Sequence, residues 1–188
     1  MKAETPREVL VAELREHALV VGEVTLSSGK TAAYYIDAKR ALLRPPAFRA
    51  AGELVAEHAR ELGATAVGGM TMGADPIACA ALAAPDGEGL MAFFVRKQRK
   101  EHGLERWVEG AVLEPGTPCL VVEDVVTTGG STVRAVERVL AEGLDVRGAL
   151  CVVDRLAGGG EAIEAAGGSP FRALATIDEI YPERPDRG

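Results

Sequence analysis

The chain has 188 residues, 47% of them hydrophobic and 26% charged, and a formal net charge of −7. That length suits one domain with a sizeable core, and the balance is that of a soluble globular protein. It excludes a general nucleic-acid binder, which would be basic, and no apolar run reaches the roughly 18 residues that span a bilayer.

The start, MKAETPREVLVAEL, lacks a basic segment followed by an apolar block, so no signal peptide is expected. Thr5-Pro6-Arg7-Glu8 predicts a helix start: Thr5 caps, Pro6 fits the first helical position and Glu8 completes a capping box. This helix is expected to run to about residue 18, before an extended piece over 20–26. Ser27-Ser28-Gly29-Lys30 reads as a turn and Tyr34-Tyr35-Ile36-Asp37 as a strand. Pro45-Pro46 opens a long amphipathic helix over 47–62, stopped at Gly63.

From there short apolar runs alternate with helical patterns. Strands are predicted over 64–68, 90–95, 119–123, 146–154 and 171–177, helices over 76–83 and 131–142, and a polar loop after 95. Continuously apolar strands alternating with helices imply an α/β fold with a parallel sheet covered on both faces. Residues 1–44 stand outside the alternation and are expected to form a small N-terminal hood. Residues 45–188 make the α/β core, in one structural domain overall. Cys79, Cys119 and Cys151 lie in apolar surroundings, odd in number and widely spaced. They are expected as reduced, buried thiols of a cytoplasmic protein, with no disulfide framework or zinc site. Met70 and Met72 are expected in core packing.

The informative stretch is VVEDVVTTGGST, residues 121–132. Glu123 and Asp124 end an apolar run, where an open parallel sheet binds its ligands. Thr127-Thr128-Gly129-Gly130 then leads into the helix at Ser131, and such an approach presents backbone N–H groups and hydroxyls to a phosphate. An acidic chain attracts no anion by its overall field, so the site must be built locally. Ionised carboxylates only accept hydrogen bonds; they would repel phosphate but bind sugar hydroxyls. A ribose 5-phosphate satisfies both halves. The plain alternative is an ordinary strand–turn–helix connection.

The stretch resembles the phosphoribosyl-pyrophosphate (PRPP) signature of type I phosphoribosyltransferases, and implies that Glu123 through Ser131, including Val125 and Val126, bind PRPP. A second stretch, Arg96-Lys97-Gln98-Arg99-Lys100-Glu101-His102-Gly103, resembles the mobile catalytic loop of orotate phosphoribosyltransferases. Arg96, Lys97, Lys100 and His102 would then contact the pyrophosphate, with Lys100 and His102 catalytic beside Asp124. The resemblance also implies a homodimer whose loop 96–103 is shared between subunits. Residues 26–37 are similar to the family's segment over the base, which brings Tyr34 and Tyr35 to orotate. In the family, residues matching Arg155 and Thr127 bind orotate. The Arg155 guanidinium suits a carboxylate, although a salt bridge to Asp154 or another nearby acid is the alternative.

The pyrophosphate loop is placed at residues 68–76, with Thr71 and Gly73 as contacts. Some members carry Lys where Met72 and Ser27 stand, so backbone N–H groups or Thr71 must suffice here. The implied reaction joins orotate to PRPP, giving orotidine 5′-monophosphate and pyrophosphate in pyrimidine synthesis. Mg2+ is the implied cofactor, held mainly by substrate and water, with no dedicated protein cage. No nucleic-acid or membrane partner is expected. A phosphoribosyltransferase for uracil or a purine, and a PRPP-sensing regulator, are the rival readings.

Overall fold

A computed structural model of the chain describes residues 4–25, 31–98, 106–168 and 170–187. Helix α1, Pro6–Glu13, starts at the expected capping box, where the Thr5 hydroxyl accepts from the Glu8 amide at 3.2 Å and Glu8 accepts from the Thr5 amide at 2.7 Å. It continues as a wider turn, Leu14–Ala18, into strand β1, Leu19–Thr25. β1 pairs antiparallel with β2, Thr31–Ile36, in a two-stranded sheet of their own. A short helix α2, Lys39–Leu42, precedes α3, Pro45–Glu61.

The remaining elements are β3 (Ala66–Met70), α4 (Asp75–Ala83), β4 (Met91–Val95), β5 (Val108–Gly110), β6 (Pro118–Val126), α5 (Gly130–Ala141), β7 (Asp145–Asp154), α6 (Gly159–Ala165), β8 (Phe171–Thr176) and α7 (Ile177–Ile180). Among the described residues, six strands form one sheet in the order β5-β4-β3-β6-β7-β8. Strand side chains alternate between its faces. Val67, Leu120, Val122 and Leu150 join Leu10, Leu14, Val55 and Ile77 from α1 with its wider turn, α3 and α4. Ala66, Phe93, Cys119, Val121 and Cys151 meet Ala135, Val136, Val139 and Ile163 from α5 and α6. Burying each large side chain of this kind contributes about 1.5–3 kcal/mol, which is why these runs are apolar on both sides. Leu10 and Leu14 are fully buried in the first cluster, so the N-terminal helix is built onto the core.

Several expectations are corrected. The sheet is not wholly parallel: β5, within the stretch expected as a loop, pairs antiparallel with β4 from Phe93–Gly110 to Val95–Val108. It is three residues long, too short to show a periodicity of its own. β6 runs past residue 123 to Val126, because β7 keeps pairing with it through Asp154, so the two carboxylates lie within the strand. Helices α2, α6 and α7 are short, four to seven residues, and carry too few turns to announce themselves. Cys119 and Cys151 are buried and free, but Cys79 is exposed. It lies on α4, whose packed face carries Ile77, Ala78 and Ala81. Met70 is core, whereas Met72 is 70% exposed, because the chain has left β3 and turned toward solvent by then.

Candidate active site at the β3–β6 crevice

β3 is the first strand of the large sheet; β4 is added on one side and β6 on the other. α4 and α5 therefore cover opposite faces, and a crevice opens beyond the carboxyl ends of β3 and β6. Glu123 and Asp124 face it from β6 and the 71–74 turn faces it from β3. A cleft of about 240 Å³ there is lined by Lys39, Met70 to Gly73, Lys97, Glu123, Asp124, Val125 and Ser131. A neighbouring hollow of about 180 Å³ is lined by residues 125–132.

The two carboxylates are held differently. Asp124 Oδ1 accepts from the Val125 amide at 2.8 Å and its Oδ2 from Lys39 Nζ at 3.1 Å. Glu123 is buried, and accepts from the Asp124 amide at 3.3 Å and the Thr132 hydroxyl at 3.4 Å. The chain passes so close that a Cβ on Gly73 would lie 2.6 Å from Asp124 Oδ1 and 2.8 Å from Glu123 Oε1. Glycine lets that turn, with its cis Thr71–Met72 peptide, lie against the pair without displacing either carboxylate. The Thr71 hydroxyl donates to Asp75 Oδ2 at 2.6 Å, so its proton is already committed.

Lys39 also lines the cleft, and the sequence reading did not single it out. Its ammonium lies 3.0 Å from Asp37 Oδ1 and 3.1 Å from Asp124 Oδ2. Burial works against its charge, but the hydrogen bond to Asp37 and the charge of Asp124 prevail and raise its pKa. The Asp-x-Lys spacing after β2 was visible; its approach to a carboxylate 85 positions away was not.

Burial, and then the Asp124 charge, push the Glu123 carboxyl up from 4.5 to about 8. Between those values the native state keeps a proton that the unfolded chain has lost, so stability falls as pH rises across the window. The ceiling is about 1.4 kcal/mol per pH unit. The melting temperature of wild type relative to Glu123→Gln is therefore expected to decline from pH 5 to pH 8 without ligand. A difference that stays flat or grows with pH refutes the shift.

At the far side of the crevice, the Arg155 amide donates to Val126 O at 2.9 Å, setting the end of β7 beside the 127–130 turn. Arg155 Nη2 donates to the Tyr34 hydroxyl at 3.0 Å, and the guanidinium lies over the Tyr34 ring, 4.9 Å from its centroid. The β1–β2 hairpin thus brings Tyr34 to Arg155, while Tyr35 points to the other face and is 39% exposed. Arg155 does not pair with Asp154; its carboxylate neighbour is Asp186, at 3.7 Å.

The basic stretch is anchored at its described ends. The Arg96 amide donates to Trp107 O at 2.9 Å, and Arg138 Nη1 from α5 donates to Arg96 O at 2.6 Å while stacking 4.0 Å over the Trp107 ring. Arg96 is 3.4 Å from Glu109, and exposed Lys97 reaches the cleft. Lys100 and His102, and the turn at Ser27, lie outside the described residues. Among the described residues, no three His, Cys, Asp or Glu side chains gather to hold a metal, and no helix is long and apolar enough to cross a membrane.

An orotate phosphoribosyltransferase of Corynebacterium glutamicum (strain R) is 47% identical over 174 residues, covering 93% of both chains. The chain belongs to the orotate phosphoribosyltransferase family. A crystal structure of the Mycobacterium tuberculosis H37Rv orotate phosphoribosyltransferase with Fe(III) dicitrate superposes with a TM-score of 0.83 at 42% identity, covering 93% of this chain and 98% of that one. The same enzyme crystallised with PRPP matches with a TM-score of 0.79 at 39% identity over the same shares. No family model matches the chain. The chain has the type I α/β architecture expected from its sequence, a mostly parallel sheet between helices.

Proposed function

We propose that the chain transfers the 5-phosphoribosyl group of PRPP to orotate, forming orotidine 5′-monophosphate and pyrophosphate. One arrangement carries it: a carboxylate pair, an anion-binding strand-to-helix loop and an arginine at the next strand end all converge on a single crevice. The ribose 2′- and 3′-hydroxyls donate to Glu123 and Asp124. The 5′-phosphate takes the N–H groups and hydroxyls of 127–131 at the start of α5. Arg155 pairs with the carboxylate of orotate, and Thr127 and Tyr34 border the ring. Residues 1–44 serve as the hood over the base.

Orotate N1, giving up its proton, forms a bond to C1 of the ribose, and the C1–O electron pair leaves with pyrophosphate. Charge therefore builds on the leaving group and the ring becomes cationic. Asp124 favours that ring. Arg96, Lys97, Lys100 and His102 neutralise the leaving group, and closure of their loop excludes water from PRPP. Acidic side chains beside an open cleft fit Mg2+ that keeps its waters: the substrate's diphosphate would hold the ion on the Asp124 side of the cleft, where it would supply further neutralisation of the leaving group's charge. The same reading makes the protein a cytoplasmic homodimer whose 96–103 loop serves the neighbouring subunit.

Purified protein with PRPP, Mg2+ and orotate should consume orotate absorbance and yield orotidine 5′-monophosphate; uracil, adenine and hypoxanthine should not be used. Turnover of one of those bases in place of orotate overturns the assignment. Lys39 supplies charge where Met72 cannot. Lys39→Ala should raise the KM for PRPP about tenfold, equivalent to about 1.4 kcal/mol, and Lys39→Arg should recover most of it. Stability should change by less than about 1 kcal/mol, since the ion pair is partly exposed. An unchanged KM would leave Lys39 as a structural tie only.

A further inference from the structure

The arginine assigned to the acceptor's carboxylate already faces one from its own chain. Beyond α7 the tail folds back over the hairpin, and both Asp186 oxygens accept from the Tyr34 hydroxyl at 3.0 Å. Asp186 Oδ2 stands 3.7 Å from Arg155 Nη2. The tail is fastened from behind: Arg184 Nη1 donates to Asp186 Oδ1 at 2.9 Å, and Arg184 Nε donates to Asp178 of α7, also at 2.9 Å. Tyr181 sets its ring edge-on to Tyr34 at 5.4 Å between centroids. Asp186 itself is half exposed.

The fit to Arg155 is incomplete. Arg155 Nε is buried and has no hydrogen-bond partner among the described residues. At 3.7 Å, Asp186 offers charge to the guanidinium without a hydrogen bond to it. A planar carboxylate on a flat ring can address Nη2 and Nε together, the two-point geometry an arginine fork favours. A largely buried guanidinium, 17% exposed here, is costly without any anion, so a carboxylate supplied by the chain lowers that cost while the acceptor is absent.

We propose that Asp186 is a further determinant of acceptor binding, an internal carboxylate that occupies the Arg155–Tyr34 anchor in the empty enzyme and is exchanged for the carboxylate of the acceptor. This rests on the assignment of Arg155 to orotate. The exchange is one carboxylate for another, so charge at the anchor is conserved. A base without a carboxylate either meets Asp186 at the anchor or leaves Arg155 unpaired, and orotate does neither. Asp186 thereby sets a threshold: it weakens orotate binding by competing, and it withholds the anchor from neutral rings.

The test is orotate saturation with Asp186→Ala and with Asp186→Asn, which keeps the size of the side chain while removing its charge. Both should lower the KM for orotate three- to tenfold, with the KM for PRPP and kcat within twofold of wild type. Damage to the tail would raise the orotate KM, so the direction separates competition from a structural role. In an Arg155→Ala background, Asp186→Ala should bring no further gain, because the contested partner is gone. An orotate KM that is unchanged or raised in both Asp186 variants overturns the proposal. If Arg155→Ala meanwhile loses orotate, the assignment of the anchor survives that failure. If Arg155→Ala leaves the orotate KM unchanged, the anchor assignment falls, and the proposal with it.

Discussion

Arg155→Ala is expected to lower kcat/KM for orotate by about 100-fold or more while changing the KM for PRPP less than threefold. Removing one partner of a buried, charge-assisted pair costs about 2–5 kcal/mol in binding, and 3 kcal/mol corresponds to about 150-fold. The arginine is placed for this by three contacts: its amide on Val126 O, its Nη2 on the Tyr34 hydroxyl and its guanidinium over the Tyr34 ring. Arg155→Lys should recover little, because an ammonium cannot make the paired, planar contact. The donor side stands on β6 and α5, which is why PRPP is expected to be spared. Steady-state kinetics with each substrate varied in turn separates the two. Equal loss in both would mean that Arg155 supports the crevice as a whole rather than the acceptor.

The second large effect is expected at Gly129. Its φ is +77°, a left-handed conformation that costs a residue with a Cβ about 1–2 kcal/mol. A Cβ there would also lie 2.6 Å from Gly159 O, a backbone atom that cannot swing aside. Gly129→Ala should therefore displace the turn against the start of α6, lowering stability by about 2–4 kcal/mol. The amides at the start of α5 would lose their alignment, and PRPP affinity should fall about 100-fold. Gly130→Ala is the contrast for stability: a Cβ there meets only Arg134 Nη1 at 3.6 Å, with no positive φ to maintain. Thermal melts and PRPP titration of the two variants check this. Equal melting temperatures would show that the turn yields without cost.

Some of the site could be found along the chain because its parts are contiguous. Glu123, Asp124 and residues 127–131 lie in one strand–turn–helix passage, so spacing alone brought together the halves proposed for the diol and the phosphate. The larger secondary elements were legible for a similar reason: β6 and β7 are continuous apolar runs, and α3 and α5 are long enough to show a helical period. β5 and α6 were not, since three and seven residues carry too little pattern. Lys39 and Asp186 were missed because their contacts are with partners 85 and 152 positions away, Asp124 and Tyr34. Chain order does not announce such meetings.

The amino-acid sequence by itself determined the family, the donor signature and the alternation of apolar strands with helices, since each of these is written in neighbouring residues. Only the tertiary structure decided which side chains share the crevice. The sheet grows outward from β3 in both directions, so β3 and β6 become neighbours and their turns face each other. Burial of Glu123 beside Asp124, the bridge from Lys39 and the return of the tail onto Arg155 follow from that packing, because desolvation and charge proximity are set by distance in space, not along the chain.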